Sequence, residues 1–288
     1  MQDMPSAAPA VEQRRQAAGT ERQFYADDRR KALIDRALCY LDCGLAVCLT
    51  GHAGCGKTAM ARHLGARRGR PVVWTAGDAA QTSTDLLGET VGEIAHRTRD
   101  RFVHSVEKTA TSRRTLWRDG PLVEAMLAGA TFIYDEYTRA PAAANNPLLT
   151  AIEERAVSLS SAAREGRIVS AAEGFGIILT TNPDEYVGTN PSADALEDRL
   201  VVIQLPVADA AYETGVVSAS TGLGEPAARR IVEIVRATLG DGAESLRPAL
   251  LIATVCATVD LPADDRNPEF RALLEDVLAS RRQKRMAA

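Results

Sequence analysis

The sequence predicts an α/β fold: a three-layer αβα domain around a parallel five-stranded sheet, followed by a smaller α-helical domain. Three observations carry this. Five short apolar runs recur up to Pro206, separated by stretches long enough for helices. None alternates apolar with polar residues, so each is buried on both faces, as strands of a helix-covered parallel sheet are. After Pro206 the strand-like runs stop and only helical periodicity remains.

Taken in order, residues 1–24 are rich in Ala, Gln, Pro and charge without periodicity, and read as a mobile tail. "DDRRKALIDRALCYL" (27–41) places Leu33, Ala37, Leu38 and Leu41 near helical spacing and predicts a leading helix. The strands are "LAVCLT" (45–50), "VVWT" (72–75), "TFIYDE" (131–136), "GIILTTN" (176–182) and "LVVIQL" (200–205). They define a domain over 25–206. Within it, 87–118 is too long for a simple crossover helix and carries Arg97, Arg99, Arg101, Lys108, Arg113, Arg114 and Arg118, with Phe102 and Trp117 between them. Residues 154–174 read as a β-hairpin. "AARRIVEIVRATLG" (227–240), "RPALLIATVCATV" (247–259) and "FRALLEDVLASRRQKR" (270–285) are helical in period and make 207–288 a helical domain.

The motif with the most chemistry is "GHAGCGKT" (51–58), between the first strand and the helix "TAMARHLGARR". A glycine-rich turn opening a helix points successive backbone N–H groups and the positive end of the helix dipole at one spot, where a triphosphate fits. Gly51, His52, Ala53, Gly54, Cys55, Gly56, Lys57, Thr58 and the following Ala59 are therefore the candidate ATP contacts. The pattern GxxxxGK[ST] gives Lys57 the outer phosphates and the Thr58 hydroxyl a Mg²⁺ ion.

Two further strand ends supply what a nucleotide needs for hydrolysis. "TFIYDE" ends in Asp135, suited to hold Mg²⁺ through its water shell, and Glu136, suited to polarise the attacking water. "GIILTTN" ends in Asn182, whose amide can position that water or sense the γ-phosphate. Arg199 in "ALEDRL" lies at the domain edge, where it can reach a neighbouring subunit's nucleotide. Arg247 in "SLRPAL" starts a helix of the second domain and is the candidate phosphate contact from that side.

Composition excludes several other classes. With 34 basic and 38 acidic residues the net charge is −4, which gives no general attraction to nucleic acid or to an anionic membrane. No run reaches the ~18–20 apolar residues of a membrane span, and the N-terminus lacks the apolar stretch of a signal peptide, so a cytoplasmic location is expected. The five cysteines show no CxxC spacing, so no disulfide framework or zinc site is expected. Cys39 and Cys43 are read as packing residues.

The order GHAGCGKT, FIYDE, TTNP, ALEDRL, SLRPALL resembles AAA+ ATPases of the MoxR type over about residues 25–260. Within that group, "RPVVWTAGDAAQTSTDLLG", the stretch from "DRFVHSVEKTATSRRTLW" through "FIYDEYTRAPAAANNPLLTAIEERAVSL", and "TTNPDEYVGTNPSADALEDRL" resemble the gas vesicle protein N family. The resemblance implies an AAA+ core with an α-helical lid, a hexameric ring, and an ATPase promoting gas vesicle assembly with shell and accessory proteins as partners. It implies association with gas vesicles in the cytoplasm, and neither nucleic acid nor lipid as partner. Position by position it makes Gly51, Gly56, Lys57 and Thr58 the Walker A residues and Asp135 and Glu136 the Walker B pair. Asn182 becomes sensor 1, Arg199 the arginine finger and Arg247 sensor 2. His52 departs from the proline often found in such loops, at a position facing away from the phosphate cradle. In MoxR relatives an insert at the position of 87–118 faces the centre of the ring, which suggests a grip on an acidic protein segment or a report of nucleotide state, against the plain alternative of a solvated charged face.

Other readings stay open at this level: a nucleotide-gated scaffold or minor vesicle component with little turnover, and a general MoxR-like chaperone that activates an enzyme. A DNA motor is disfavoured by the acidic chain and the lack of a helix-turn-helix.

Overall fold

The computed structural model describes residues 24–102, 106–159, 167–182, 195–239 and 246–286, and side chains in all of these except 93–102, 106–115 and 280–286. The described residues divide into two compact units, one within 28–207 and one joining those of 208–286 to residues 24–27.

The larger unit opens with helix α1 (Asp28–Asp42), which buries Arg30, Ile34, Ala37 and Leu41 at helical spacing. Strand β1 (Ala46–Thr50) leads into the glycine-rich turn and helix α2 (Lys57–Arg67). Then come β2 (Val72–Ala76), the short helix α3 (Ser83–Leu87), β3 (Gly88–Phe102), β4 (Val106–Asp119) and α4 (Pro121–Ala128). After β5 (Thr131–Asp135) the chain makes two 3-10 turns, Tyr137–Arg139 and Ala142–Asn145, and helix α5 (Asn146–Glu153). The strands β6 (Ala156–Leu159), β7 (Arg167–Ser170), β8 (Gly176–Thr181) and β9 (Leu200–Gln204) complete it.

Five of these strands form one parallel sheet in the order β2-β5-β8-β1-β9. Each of the five predicted runs is one of its strands. The central ones are buried throughout, which explains their lack of alternation: β5 and the first five residues of β8 have no exposed position. Leu86, Leu122, Met126, Phe132, Tyr134, Leu148 and Leu179, all fully buried, form the core beneath one face. Helix α4 starts on Pro121 and stops at Gly129, whose φ of 60° is a left-handed conformation that glycine adopts at little cost.

The two inserts are hairpins. β6 and β7 pair antiparallel with Val157 opposite Val169, as 154–174 predicted, with the intervening 160–166 outside the described residues. Residues 87–118, to which the sequence assigned no strand, form a second antiparallel ribbon in which β3 and β4 pair from Gly88↔Asp119 to Phe102↔Val106. Its register shifts once, between Thr90 and Gly92.

In the second unit, α6 (Ala210–Thr221), α7 (Glu225–Leu239), α8 (Leu246–Val259) and α9 (Pro268–Met286) enclose a core of Val217, Ile231, Val235, Ile252, Cys256 and Phe270. Tyr25 belongs here: its ring lies 5.8 Å from that of Tyr212, and a Cβ on Gly215 would meet that ring at 2.3 Å. The buried Glu213 carboxylate is met by Arg236 at 3.3 Å. The predicted tail lies outside the described residues up to 23.

Candidate functional site

The glycine-rich turn leaves the carboxyl end of β1, a strand flanked on both sides within the sheet. Gly51, Gly54 and Gly56 have φ of 153°, 80° and 96°, which side-chain-bearing residues adopt only under strain. At Gly51 the close fit adds a second reason, because a Cβ would lie 2.9 Å from Cys55 Sγ. Gly56 is the N-cap of α2, so the helix begins at Lys57 with its free N–H groups turned toward the loop. His52 and Ala59 are exposed, Ala53 and Gly54 half-buried, and Cys55 buried. Burial pushes the Cys55 thiol up, against the smaller opposing pull of Lys57 and Arg30, so it stays protonated and uncharged at neutral pH.

Lys57 is buried, and its ammonium donates to the carbonyls of Gly51 at 2.6 Å and His52 at 2.9 Å. The loop thus wraps its own lysine, fixing a positive charge inside the ring of backbone N–H groups. Beside it, Thr58 Oγ1 donates to both carboxylate oxygens of Asp135, at 3.0 and 2.9 Å. This contact joins the first turn of α2 to the end of β5. Thr180 Oγ1, from β8, also donates to Asp135, so hydroxyls from two neighbouring elements orient that buried carboxylate. A hydroxyl and a carboxylate on adjoining elements are the hard oxygen donors that Mg²⁺ takes. Among the described residues there is no cluster of three or more His, Cys, Asp or Glu suited to a softer metal.

Glu136 follows at φ 51° and ψ 43°, a left-handed conformation uncommon for a side-chain-bearing residue. Its N–H donates to Thr180 Oγ1 at 2.8 Å, and Arg139 holds its carboxylate at 2.8 Å from one turn further on. The end of β2 comes so close here that a Cβ on Gly77 would stand 2.2 Å from the Glu136 carbonyl oxygen. Gly77, Thr180 and Arg139 were absent from the sequence prediction. The only trace of Arg139 there was its place in the stretch "FIYDEYTRAPAAANN", and a glycine after a strand gave no sign of which backbone it approaches.

Asn182 sits at the carboxyl end of β8, buried, and its Oδ1 has no hydrogen-bond partner among the described residues. It stands one strand from β1 and one from β5, as the strand order requires. Arg199, just before β9, is tied within its own chain: it bonds the Ala195 carbonyl and lies 2.6 Å from Glu153. Arg247 is exposed in the first turn of α8. The structure therefore brings together the loop, Thr58, Asp135, Glu136 and Asn182 around the central strand ends. Arg199 lies at the rim, and Arg247 belongs to the other unit. Cys39 and Cys43 are corrections, since both are exposed on or just beyond α1 rather than packed.

A family model described as an AAA domain of the dynein-related subfamily matches residues 46–200, the span from β1 to β9. The chain is 37% identical over 262 residues to the gas vesicle ATPase GvpN of Ancylobacter aquaticus, covering 90% of this chain and 73% of that protein. The chain belongs to the GvpN family of gas vesicle ATPases. It is similarly 36% identical over 269 residues to GvpN2 of Halobacterium salinarum, over 91% of this chain and 76% of the relative. A mutant of RuvB from Thermotoga maritima shares the fold, with a TM-score of 0.53 at 16% identity over 89% of this chain and 71% of that one. As a GvpN-family AAA ATPase, the chain binds nucleotide and hydrolyses ATP.

Proposed function

We propose that this GvpN-family ATPase promotes gas vesicle assembly by using ATP turnover to remodel or deliver vesicle proteins, as a homo-oligomeric ring. In this reading the loop 51–58 and Ala59 hold the phosphates, with Lys57 on the outer ones. Thr58 and Asp135 hold Mg²⁺, which neutralises phosphate charge. Glu136 orients and polarises the attacking water, and Asn182, whose amide oxygen has no partner among the described residues, positions it. Arg199 serves a neighbouring subunit's nucleotide after exchanging its Glu153 contact, and Arg247 acts as the phosphate sensor of the helical lid, 207–288. Shell and accessory vesicle proteins are the proposed partners, and the cytoplasm the proposed location. Among the described residues no helix is long and apolar enough to cross a membrane.

The observation that carries the hydrolytic reading is the clamp of Thr58 and Thr180 on Asp135, because it fixes the strand end from which Glu136 projects. One contact favours the scaffold alternative: Arg139 occupies the Glu136 carboxylate, as a site held at rest would require. Glu136→Gln separates the two. In a complete vesicle gene cluster this change should keep ATP bound and abolish its hydrolysis. Loss of buoyant vesicles with stable protein present supports driven assembly, whereas normal vesicle yield makes the nucleotide a gate.

A further inference from the structure

Three arginines meet at the end of the parallel sheet opposite the glycine-rich loop. Arg68 is the C-cap of α2, Arg70 lies just before β2, and Arg155 follows α5. All three close on the tripeptide Gly174-Phe175-Gly176, which leads into β8. Arg68 donates from Nη2 to the Gly174 carbonyl at 3.0 Å and from Nη1 to Thr131 Oγ1 at 2.7 Å. Arg155 donates from Nη2 to the Phe175 carbonyl at 3.3 Å, with its guanidinium 5.7 Å from that residue's ring. The two glycines leave room for the other charges: a Cβ on Gly174 would run into the Arg70 guanidinium, and one on Gly176 into that of Arg68.

The positive charge gathered here exceeds what the protein sets against it. The Arg68 side chain is only 5% exposed, and its Nε is buried with no hydrogen-bond partner among the described residues. The acid beside it, Asp42, stands 3.9 Å away and is 72% exposed, too distant for a hydrogen bond and largely screened by water. Among the described residues neither Arg70 nor Arg155 has an ion pair with an acid. Burial pushes the Arg68 guanidinium down from its usual range, Asp42 draws it back up, and the charges of Arg70 and Arg155 push it down again. Two carbonyls and a hydroxyl take up three N–H groups, whereas each guanidinium carries five donors. Neutral donors would hold the tripeptide without the mutual repulsion.

We infer that Arg68, Arg70 and Arg155 form a binding site for a small, free, doubly charged oxyanion of the phosphate class. Three cations against one acid leave an excess that such an ion neutralises. Guanidiniums arriving from separate segments suit a tetrahedral ion, whose oxygens point in different directions, better than a carboxylate with two oxygens in one plane. Arg70 is exposed and Arg155 half-buried, so the cluster is open to solvent on their side while Arg68 stays covered. A free ion reaches that depth more readily than a phosphoryl group carried on a polypeptide.

This site is distinct from the nucleotide motifs, which stand at the carboxyl ends of β1, β5 and β8, whereas Thr131 and Gly176 begin β5 and β8. The inference stands whether or not ATP turnover drives assembly. It is tested by thermal unfolding of the full chain with the nucleotide site filled by a non-hydrolysable ATP analogue. Phosphate in its doubly charged form should raise Tm saturably over chloride of equal ionic strength, as a ligand of the folded state does. Acetate should not, and a phosphoserine peptide should act more weakly than phosphate. Arg70→Gln/Arg155→Asn should weaken the phosphate response more than about tenfold, asparagine being chosen because it tolerates the left-handed φ of 50° at position 155. Arg67→Gln, at an exposed arginine one residue before Arg68, should shift it less than about twofold. Nucleotide binding, measured on every variant, establishes that each remains folded. No saturable rise over chloride, an unchanged rise in the double variant, or an equal response to acetate or to the peptide overturns the inference, the first leaving arginines that only lock the tripeptide.

Discussion

Replacing Gly77 by Ala should impair hydrolysis while leaving nucleotide binding largely intact. The added Cβ would stand 2.2 Å from the Glu136 carbonyl oxygen, 3.1 Å from its carbonyl carbon and 3.3 Å from Tyr137 Cα. A carbon–oxygen contact is comfortable only at about 3.3 Å or more, so β2 and the turn after β5 must separate by about an ångström. All three obstructing atoms are backbone, so no flexible side-chain end can swing aside. The Gly77 N–H also donates to the Asp135 carbonyl at 2.8 Å, holding the two strand ends at their present spacing. Overpacking of this kind costs about 1–3 kcal/mol. In a unit of this size that lowers Tm by about 2–4 °C per kcal/mol. The larger effect is on chemistry, because displacing Glu136, the carboxylate proposed to activate water, by about an ångström is expected to cost on the order of a hundredfold in rate. Steady-state ATP turnover, binding of a fluorescent ATP analogue and thermal unfolding, measured together, give the pattern. A variant with parent-like kcat and unchanged Tm would refute the argument that this approach sets the position of Glu136.

Arg139→Gln removes an ion pair whose partners are both substantially exposed, so it should cost no more than about 1 kcal/mol in unfolding experiments. Yet it should change kcat with little effect on KM, because it frees Glu136; an unchanged kcat would show the contact to be incidental. Arg68 is buried and donates to Thr131 Oγ1 at 2.7 Å and to the Gly174 carbonyl at 3.0 Å, joining the end of α2 to β5 and to the approach to β8. Arg68→Met leaves those acceptors without their charged donor and should lower stability by about 3 kcal/mol in urea unfolding, so an unchanged midpoint would count against it. Burial, with a smaller contribution from Glu197, pushes the Cys48 thiol up to about 12 from an unfolded value of 9.0. Its contribution to stability is complete below pH 9.0 and is lost as pH rises toward about 12, so a Cys48→Ala variant should lose less of its stability across that window than the parent. Thiol labelling of the native chain should modify Cys39 and Cys43 quickly and Cys48, Cys55 and Cys256 slowly.

The parallel sheet was legible because its central strands are buried on both faces, and runs such as "GIILTT" have no comfortable place on a surface that meets water, although the edge strands β2 and β9 expose Val72, Trp74 and Val202 against that expectation. The glycine-rich loop 51–58 was legible because its glycines are required by local backbone conformation, and local requirements leave a local pattern. The β3–β4 ribbon escaped because "GETVGEIAHRTRDRF" lacks the alternating apolar pattern of a half-buried strand; its extended form comes from pairing with β4. Helix α6 was not singled out either, since "AAYETGVVSAST" mixes small, polar and β-branched residues around its circumference. Within the site, Asp135 and Glu136 were readable as a strand ending in acids. The Thr180 clamp, the Arg139 contact and the Gly77 approach depend on the folded geometry of strand ends and turns, and arise only on folding.

The interior place of β1 also bears on how the chain reaches its folded state during synthesis. β1 is made early, yet its sheet neighbours are β8 and β9, with Val47 opposite Ile178 and Ala46 opposite Leu200. Every partner of β1 in the sheet therefore leaves the ribosome long after β1 itself, and such long-range closure is slow. The loop that follows β1 has no firm mount until then, because Leu205 secures the end of β1 by donating to the Thr50 carbonyl. A nascent chain ending before β9 should accordingly be unable to capture ATP. Nucleotide binding then reports that synthesis has passed the last strand, and ATP becomes a ligand that selects finished sheets over partial ones.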